Sequence, residues 1–337
     1  MKKLLLILLF LPFIGFGQNV NIPDPNFKAY LVGNTAINTN GDSEIQLSEA
    51  TSYNGSINIF NSQLYDLTGI EAFISLDYLM VDNAQVSSID LSQNTLLTYL
   101  KVVGNPIINI DLSQNTLLET FIGSYLSLTS LDVSQNLSLK TLWIDNNQII
   151  NIDLSQNLLL ENLNIANNGN MSSIDLSNNT NLSYLKCYGN NLDNLDLSYK
   201  NNLEYLDCSG NIMLSDINLS YAYNLKHLNC SSSLSLSNLD LSYQNNFDFL
   251  DCSVNPYLSC ILVSNPFQSI QTWTYTLDPQ QYFSDNCGST DVQEHTTNKE
   301  LLKVTEDLLG REIKANNNEF LFYIYDDGTV EKKLIIE

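Results

Sequence analysis

A polar stretch near the N-terminus holds the residues best suited to binding a metal ion. Oxygen-bearing side chains recur over twelve residues, at Asn38, Asn40, Asp42, Gln46 and Glu49. Glu44, in the middle of the stretch, is placed to offer its backbone carbonyl oxygen. A hard cation takes about six to eight oxygens folded round it, with a bidentate carboxylate closing the cage. The spacing therefore indicates a structural calcium site in which Glu49 supplies that carboxylate.

The stretch matches the EF-hand-type loop, in which side-chain ligands alternate along the chain and the eighth position, here Ile45, is apolar. Two residues depart from that pattern. At the first position Asn38 replaces the usual aspartate, which removes a negative charge. At the sixth position Ser43 replaces the glycine that makes the sharp turn. The same residues also suit a polar turn that caps a helix beginning near Ser48. Both interpretations stay open.

An enzyme needs acid, base or nucleophilic groups that converge, and the sequence offers few. Its two histidines, His227 and His295, are far apart along the chain, and it contains no glycine-rich phosphate loop, no H-E-x-x-H and no G-x-S-x-G motif. Paired carboxylates could hydrolyse sugars, but the acids here follow a repeat, which explains them structurally. We predict a protein that is not an enzyme and uses no cofactor besides calcium.

A recurring phrase organises most of the chain. The sequence Ile/Leu-Asp-Leu-Ser, or a close variant, returns every 21 or 22 residues, beginning at Ile89, Ile110, Leu131, Ile152, Ile174, Leu195, Ile217 and Leu239. This period is in the leucine-rich-repeat range. A second apolar pair, such as Leu206 and Cys208, stands about ten residues earlier in each period. Apolar residues two apart share one side of a strand, so we expect two short strands per coil and two parallel sheets.

Asparagine and cysteine also recur at fixed positions of the coil. The asparagines that stand five residues after the first Leu of a strand are Asn105, Asn147, Asn168, Asn190, Asn211 and Asn255. There an inward amide can bond backbone groups of adjacent coils, which is a structural role. One position in successive coils is taken by Cys187, Cys208, Cys230 and Cys252. A disulfide needs two Cα–Cβ bonds that point toward each other, and equivalent positions on parallel strands in register do not have this geometry. We therefore expect these four cysteines to be buried free thiols.

The pattern L-x-x-L-x-L/C-x-x-N followed by L/I-D-L-S-x-N resembles the nested leucine-rich repeats of secreted proteins from Bacteroidetes-type bacteria, over residues 57–263. Residues 66–73 look like the entry coil of internalin-like arrays. The resemblance implies a mainly β solenoid of about nine coils that binds a ligand on its concave face. The coil at Phe121 departs most, because Gly123 stands where an apolar side chain is expected.

The N-terminus predicts export. Lys2 and Lys3 precede an apolar run over residues 4–16 that ends at Gly17, which is the arrangement of a secretory signal peptide over residues 1–17. The run is too short to span a bilayer, and no cysteine follows it for a lipid anchor. We expect the mature chain to begin at Gln18. Residues 18–56 then form an N-terminal cap, with a short helix after Asp24-Pro25 and the calcium loop.

The C-terminal end predicts a cap and a further module. Cys260 and Cys287 flank residues 264–287, and in an exported protein they predict a disulfide that clips this cap over the last coil. Residues 288–299 form a polar linker. Residues 300–337 predict a small β-module with a type I′ hairpin at Asp327-Gly328. With residues 307–313, the hairpin resembles the C-terminal sorting domain of type IX secretion substrates, although the usual opening Asn-Pro strand is lacking. That resemblance implies passage through the secretion machinery.

Charge narrows the classes of partner. The formal net charge is −23, and loss of Lys2 and Lys3 with the signal peptide makes it −25. Nucleic acid binding depends on neutralising phosphates with Lys and Arg, so we expect no nucleic acid partner. The repeated phrase also builds a ladder of carboxylates, at Asp90, Asp111, Asp132, Asp153, Asp175, Asp196 and Asp240. Neighbouring carboxylates about 4.8 Å apart repel each other, so either hydrogen bonds or cations must offset this repulsion. We expect hydrogen bonds from adjacent Ser and backbone groups.

Outward side chains of the repeat strands supply the candidate binding surface. The candidate ligand-binding residues are Tyr99, Trp143, Tyr184, Lys186, Tyr188, Tyr205, His227 and Phe249. Aromatic residues among polar neighbours give a ligand large contact areas at little entropic cost. The alternative is that their stacking across strands only stabilises the sheet. We predict a secreted or surface-displayed binding protein, an adhesin for a protein or a polysaccharide. The alternative is a structural surface-coat or spacer protein without a specific ligand.

Overall fold

The computed structural model describes residues 18–60, 63–244, 247–287, 301–305, 320–325 and 330–334. The chain divides into two units, Met1–Cys287 and Gly288–Glu337. The predicted signal peptide, the linker with His295, the Asp327-Gly328 turn and residues 307–313 of the sorting-domain resemblance lie outside the described residues. Among the described residues, no helix is both long and apolar enough to cross a lipid bilayer.

The larger unit is a solenoid of short strands. In chain order its strands are β1 (Ser56–Phe60), β2 (Tyr78–Asp82), β3 (Tyr99–Lys101), β4 (Thr120–Ile122), β5 (Thr141–Trp143), β6 (Asn162–Asn164), β7 (Tyr184–Lys186), β8 (Asn194–Asp196), β9 (Tyr205–Asp207), β10 (Asp216–Asn218), β11 (His227–Asn229), β12 (Leu239–Asp240), β13 (Phe249–Asp251), β14 (Cys260–Leu262), β15 (Tyr275–Thr276) and β16 (Tyr282–Ser284). Eleven of them form one sheet in the order β1-β2-β3-β4-β5-β6-β7-β9-β11-β13-β15. We call this the long sheet.

The repeat period sets the register of the long sheet. Each strand pairs in parallel with the next, and residues one period apart lie side by side, as Leu142, Leu163 and Leu185 do. In the long-sheet strands from β3 to β13 the central residue is buried and its two neighbours point outward. Burial of a leucine contributes about 1.5–3 kcal/mol, so the stack of buried leucines stabilises the solenoid.

The second side of the solenoid is less regular than the sequence predicts. Backbone strands form there only in later coils, as the pair β8-β10 and the three-stranded sheet β12-β14-β16. The expectation of two strands in every coil was therefore wrong for the coils that begin at Ile89 to Ile174. The second-side strands fall in the coils from Leu195 to Phe283, where the spacing is 22 residues throughout, but the coil from Ile152 to Ile174 has the same spacing and forms no strand there.

The irregular coil at Phe121 is closely packed. The Phe121 ring is fully buried. A Cβ atom added to Gly123 would lie 2.7 Å from the ring atom Cζ of Phe121. The larger ring therefore occupies the volume that an apolar side chain fills in the neighbouring coils, and glycine is what makes room for it.

Both ends of the solenoid are capped. The N-terminal cap contains α1 (Pro25–Val32) and α2 (Leu47–Ser52), and a one-turn 3₁₀ helix (Ile70–Ala72) lies in the entry coil. Asp24 caps α1 through Oδ1, while its Oδ2 accepts the backbone N–H groups of Tyr65 and Asp66 in the entry coil. At the other end lie α3 (Pro266–Thr272) and the predicted disulfide between Cys260 and Cys287, whose Cα atoms are 5.7 Å apart.

The smaller unit contains three described strands, β17 (Leu301–Thr305), β18 (Phe320–Tyr325) and β19 (Val330–Leu334). They form an antiparallel sheet in which β18 is central. The antiparallel pair β18-β19 agrees with the predicted hairpin.

Candidate functional site

Four aromatic side chains form a continuous stack on the long sheet, which we call the aromatic column. They come from β7, β9, β11 and β13, at the position before the buried leucine. The centroids of Tyr184 and Tyr205 are 4.5 Å apart, those of Tyr205 and His227 4.2 Å, and those of His227 and Phe249 4.5 Å. The rings are within 16° of parallel. Parallel strands in register place equivalent side chains side by side, which forces this arrangement.

Lys186 and Tyr188 extend the aromatic column at its first strand. The Lys186 Nζ lies 5.5 Å from the ring centroid of Tyr184 and 5.7 Å from that of Tyr205, within the range of a cation–π contact. Burial and the charge of Asp145 raise the pKa of Tyr188, whereas the nearby Lys186 lowers it. The structure therefore brings six of the eight predicted ligand-binding residues together.

His227 is neutral in the aromatic column at neutral pH. It is sandwiched between Tyr205 and Phe249. Burial lowers the pKa of His227 below its ordinary value, and the charge of Asp207 opposes that shift only in part. The neutral His227 imidazole therefore stacks as one of the four aromatic rings of the column, with its polar nitrogens at the ring edge.

A row of polar side chains runs beside the aromatic column, at the position after the buried leucine. Asp207 and Asp251 are the carboxylates of this row, and Asn229 lies between them. Each carboxylate accepts the backbone N–H and the hydroxyl of the serine two residues later, Ser209 or Ser253. These bonds fix the two negative charges at the edge of the column.

The other two predicted ligand-binding residues lie apart. Tyr99 stacks on Tyr78 with centroids 4.3 Å apart, and burial together with Tyr78 raises the pKa of Tyr99 to about 12. Trp143 is exposed on β5, between this pair and the column. Sequence reasoning missed Tyr78. Its signal was available, because Tyr78 precedes Leu79 as Tyr99 precedes Leu100.

A second group of aromatic residues lies in the turns after the repeated phrase and was also missed. We call Tyr199, Tyr221, Tyr223 and Tyr243 the tyrosine cluster. Tyr199 stacks on Tyr221 at 4.6 Å, and Tyr243 lies 4.9 Å from Tyr221 at a tilt. Tyr223 meets Tyr221 and Tyr243 edge-on. The signal was the residue after the serine of the repeat, which is Gln or Asn in the five earlier coils and Tyr at Tyr199, Tyr221 and Tyr243.

The predicted asparagine ladder is present. The side-chain nitrogen of Asn147, for example, donates to the carbonyls of Gly123 and Ile144. A second ladder on the other side of the coil was missed. Its members, which also donate to carbonyls of the preceding coil, are Asn94, Asn115, Asn136, Asn157, Asn179 and Gln244. Both ladders replace backbone pairing where the chain turns.

Hydrogen bonds offset the ladder of carboxylates, as predicted. From Asp90 to Asp240, Oδ1 of each member accepts the backbone N–H of the serine two residues later at 2.8–2.9 Å. The serine backbone bond holds the pKa below the ordinary value in Asp90, Asp111, Asp132, Asp153 and Asp175. The four cysteines of the repeat are free and buried, and burial raises the pKa of the Cys187 thiol.

The loop predicted to bind calcium is held by its own hydrogen bonds. Glu49 Oε1 accepts the backbone N–H groups of Thr39 and Asn40 and the Thr39 hydroxyl, and Oε2 accepts the N–H of Gln46. Burial raises the pKa of Glu49, but these bonds outweigh it and leave the pKa below its ordinary value. Gln46 and Glu49 also form the capping box of α2.

The remaining side chains of that loop join the same network. Asn38 Oδ1 accepts the N–H of Gly41, and Asp42 Oδ2 accepts from the side chains of Asn40 and Gln46. The Glu44 carboxylate pairs with Lys28. The described residues include no group of three or more His, Cys, Asp or Glu arranged for a metal, so calcium here would depend on amide and carbonyl oxygens as well. Calcium binding stays a prediction.

Comparison with known proteins gives likeness at the level of solved structures. No protein-family model matches the chain, and no curated protein matches it. The functional domain of InlJ from Listeria monocytogenes, described as including a cysteine ladder, is 20% identical with a TM-score of 0.36, over 95% of this chain and 99% of that chain.

Two further solved structures have similar values. A leucine-rich-repeat protein of Leptospira interrogans is 20% identical with a TM-score of 0.47, over 56% of this chain and 57% of that chain. YopM from Yersinia enterocolitica is 22% identical with a TM-score of 0.40, over 60% of this chain and 52% of that chain. The repeat period, the parallel long sheet and the inward leucine and asparagine stacks of this chain make its fold a leucine-rich-repeat solenoid.

Proposed function

We propose that the protein is an adhesin, displayed at or released from the cell surface, that holds a protein ligand against the outer face of the long sheet. The aromatic column carries the proposal, with four stacked rings on adjacent strands and Lys186 close to the first two. Rings fixed in this way present contact area without losing rotamer freedom on binding.

The packing of the aromatic column favours a protein over a polysaccharide at this face. Neighbouring rings cover both faces of Tyr205 and His227, so in the middle of the column a ligand meets ring rims and the Tyr205 hydroxyl. Rims suit hydrogen bonds and edge-to-face contacts with protein side chains. A sugar ring packs best on an open aromatic face.

Charge indicates which kind of protein fits. Asp207 and Asp251 lie beside the aromatic column, and the whole chain is strongly acidic. Complementary potentials steer encounter and raise association rates. We expect a ligand with a basic surface, whose association slows as salt is added.

The test uses the chain from Gln18 to Glu337 and a panel of immobilised, purified cell-surface and extracellular-matrix proteins, with calcium present. The variant Tyr184→Ala, Tyr205→Ala, Phe249→Ala removes three plates of the column. We expect saturable binding to at least one protein, weakened at least about tenfold in the variant, since interface aromatics each contribute about 1–2 kcal/mol or more.

A matched control removes the same residue types elsewhere. Tyr65, Tyr257 and Phe267 are exposed and lie outside the aromatic column, so Tyr65→Ala, Tyr257→Ala, Phe267→Ala should bind as the unchanged protein does. Equal loss in both triple variants would contradict a site on the column. Saturable binding to no protein on the panel would favour the spacer or surface-coat function instead.

Export and surface attachment belong to the same proposal and rest on the sequence. Residues 1–17 supply the signal peptide, and residues 300–337 supply the sorting-domain-like module. In a host with type IX secretion, we expect the full chain at the surface or in the medium and a chain ending at Cys287 in the periplasm. Surface delivery of the shorter chain would contradict a sorting role.

We also propose that calcium stabilises the N-terminal cap. The supporting observation is that Asn38, Asn40, Asp42, Gln46 and Glu49 lie in one compact loop. We expect calcium to raise the melting temperature relative to chelator by a few degrees, and Asp42→Ala with Glu49→Ala to abolish that rise, because a ligand at about 100 times its Kd stabilises by about 2.7 kcal/mol. No shift in the unchanged protein would leave the loop as a helix cap.

A further inference from the structure

A groove of about 250 Å³ lies on the second side of the solenoid, beside the tyrosine cluster. Its polar and aromatic walls include Asp175, Ser177, Thr180, Asp196, Tyr199 and Lys200. A second groove of about 280 Å³ shares Asp175 and Ser177 and continues toward the preceding coil at Asp153. The two grooves therefore follow each other along the stack of coils.

Tyr199 offers this groove an open aromatic surface. One face of its ring packs on Tyr221, but 63% of the residue is exposed and it forms a wall of the groove. Tyr199 and Tyr221 both have left-handed backbone, with φ of 60° and 64°, a conformation that tyrosine rarely adopts. The equivalent Gln156 of an earlier coil has no positive φ. Both tyrosines therefore occupy a backbone conformation that is unfavourable for residues other than glycine.

Lys200 brings a buried positive charge to the same place. It is 3% exposed, and its Nζ donates to the carbonyl of Ser177 at 3.4 Å. It stands where earlier coils have a ladder asparagine, such as Asn179. No carboxylate among the described residues lies within ion-pair distance of its Nζ. A buried ammonium with one long hydrogen bond can still donate to a ligand.

We propose that this groove binds a neutral polysaccharide. A sugar ring packs its C–H face on Tyr199, and its hydroxyls donate to the carboxylates of Asp175 and Asp196 and accept from the Lys200 ammonium. Two carboxylates that accept hydrogen bonds and one ammonium that donates them lie beside the Tyr199 ring. They match a sugar ring, whose hydroxyls can both donate and accept hydrogen bonds. The net charge of −23 opposes an anionic polysaccharide.

The repeat explains why a chain of sugars is the fitting ligand. The groove at Asp175 and Asp196 and the groove at Asp153 and Asp175 share one carboxylate and take equivalent carboxylates from three successive coils. A linear chain can therefore place one sugar on Tyr199 and the next in the adjoining groove.

The test is affinity electrophoresis of the chain from Gln18 to Glu337 in gels that contain one soluble polysaccharide each: a mixed-linkage β-glucan, a mannan, a xylan, or polygalacturonate as the acidic counterpart. Tyr199→Asn removes the ring and keeps a residue that tolerates left-handed backbone. We expect at least one neutral polysaccharide to retard the protein, and Tyr199→Asn and the pair Asp175→Asn, Asp196→Asn to weaken that binding at least tenfold.

Lys200→Asn separates binding from folding. Asparagine at this position can donate to the carbonyls of Leu176 and Asn179, as the ladder asparagines of other coils do. We expect this variant to melt at a higher temperature and yet to bind the polysaccharide several-fold more weakly. Unchanged binding would overturn the role of the Lys200 ammonium.

Two controls locate the site. Tyr257→Ala removes an exposed tyrosine of another coil, and Tyr205→Ala removes a plate of the aromatic column; both should bind as the unchanged protein does. Retardation by no neutral polysaccharide, retardation by polygalacturonate alone, or full binding by Tyr199→Asn would overturn the proposal. Loss in Tyr205→Ala instead of Tyr199→Asn would do the same and would assign sugars to the long sheet.

Discussion

At the scale of single residues, the two aromatic groups differ in the part of the ring that meets solvent. In the aromatic column, Tyr205 and His227 are covered on both faces by neighbouring rings. Tyr199 is covered by Tyr221 on one face and is mostly exposed. Tyrosine thus presents its rim and hydroxyl in the column and an open ring face at the groove, and the two binding proposals rest on this difference.

His227 makes the stability of the aromatic column depend on pH. Its pKa is lower in the folded protein than the ordinary value of about 6.5, so its contribution to stability is complete above that pH and is lost as the pH falls through the folded-state pKa. We expect His227→Phe to lack this loss, because phenylalanine stacks without titrating. Between pH 7 and pH 5, the melting temperature of the unchanged protein should fall by about 1–2 °C more than that of the variant.

Thermal melts followed by circular dichroism at closely spaced pH values measure this difference. Carboxylates are common to both proteins and titrate mainly below about pH 5, so their effect cancels in the comparison. Parallel curves for the two proteins would show that His227 titrates alike in the folded and unfolded chain.

Sequence reasoning found the residues of the aromatic column because their spacing equals the repeat period. It could not find how they pack, since whether Tyr184 covers Tyr205 depends on side-chain rotamers that no spacing specifies. The loop at Glu49 shows the same limit. Its oxygens were identified, but four donors within the loop already bond the Glu49 carboxylate, and only coordinates reveal them.

At the scale of the element, the coil is held at its turns by amides. Asn157 is fully buried and donates to the carbonyls of Val133 and Asn136, both at 3.0 Å. Asn157→Ala removes both bonds and leaves a cavity and two carbonyls without this partner. We expect a loss of about 2–4 kcal/mol in the free energy of unfolding, measured by urea denaturation.

Its neighbour provides the control. Gln156 is exposed and bonds only to the Ser155 hydroxyl at 3.3 Å, so Gln156→Ala should change the free energy of unfolding by less than about 0.5 kcal/mol. Equal effects of the two substitutions would mean that the ladder amides contribute no more than a surface side chain.

The long-sheet strands follow from the alternation of leucine with outward residues, and the sequence predicts them from Tyr99 onward. The second-side strands do not follow, because the same repeated sequence has no regular structure at Ile152 and forms a strand at Leu195. Pairing there depends on whether the adjoining coil also extends. Strand pairing on the second side therefore depends on two neighbouring coils together and cannot be predicted from the sequence of one repeat.

At the scale of the whole molecule, stability depends on closing the ends of the stack. Trp273 is buried in the C-terminal cap, edge-on to Phe247 at 4.7 Å and to Phe283 at 5.5 Å. The disulfide joins residues 27 apart across this cap. We expect Cys260→Ser with Cys287→Ser to lower the free energy of unfolding by about 2–4 kcal/mol.

Hydrogen exchange locates that loss. In a solenoid each coil contacts mainly its neighbours, so amides of α3, β15 and β16 should exchange faster while those near β3 to β7 stay protected. The fluorescence of Trp273 should shift to the red as its burial is lost, whereas the exposed Trp143 should not change. Faster exchange along the whole stack would mean that the end cap controls every coil.

The Cys260–Cys287 bond also determines where mechanical force enters the solenoid. A pull on the chain beyond Gly288 reaches Cys287 and crosses the sulfur bridge to Cys260. The segment between the two cysteines carries no tension, so α3 and the packing of Trp273 are spared. Cys260 lies in β14, which has β12 on one side and β16 on the other. If the protein is held by its C-terminal end under flow, the pulling force would therefore reach β14, which is paired on both sides. The C-terminal cap would stay folded under that force.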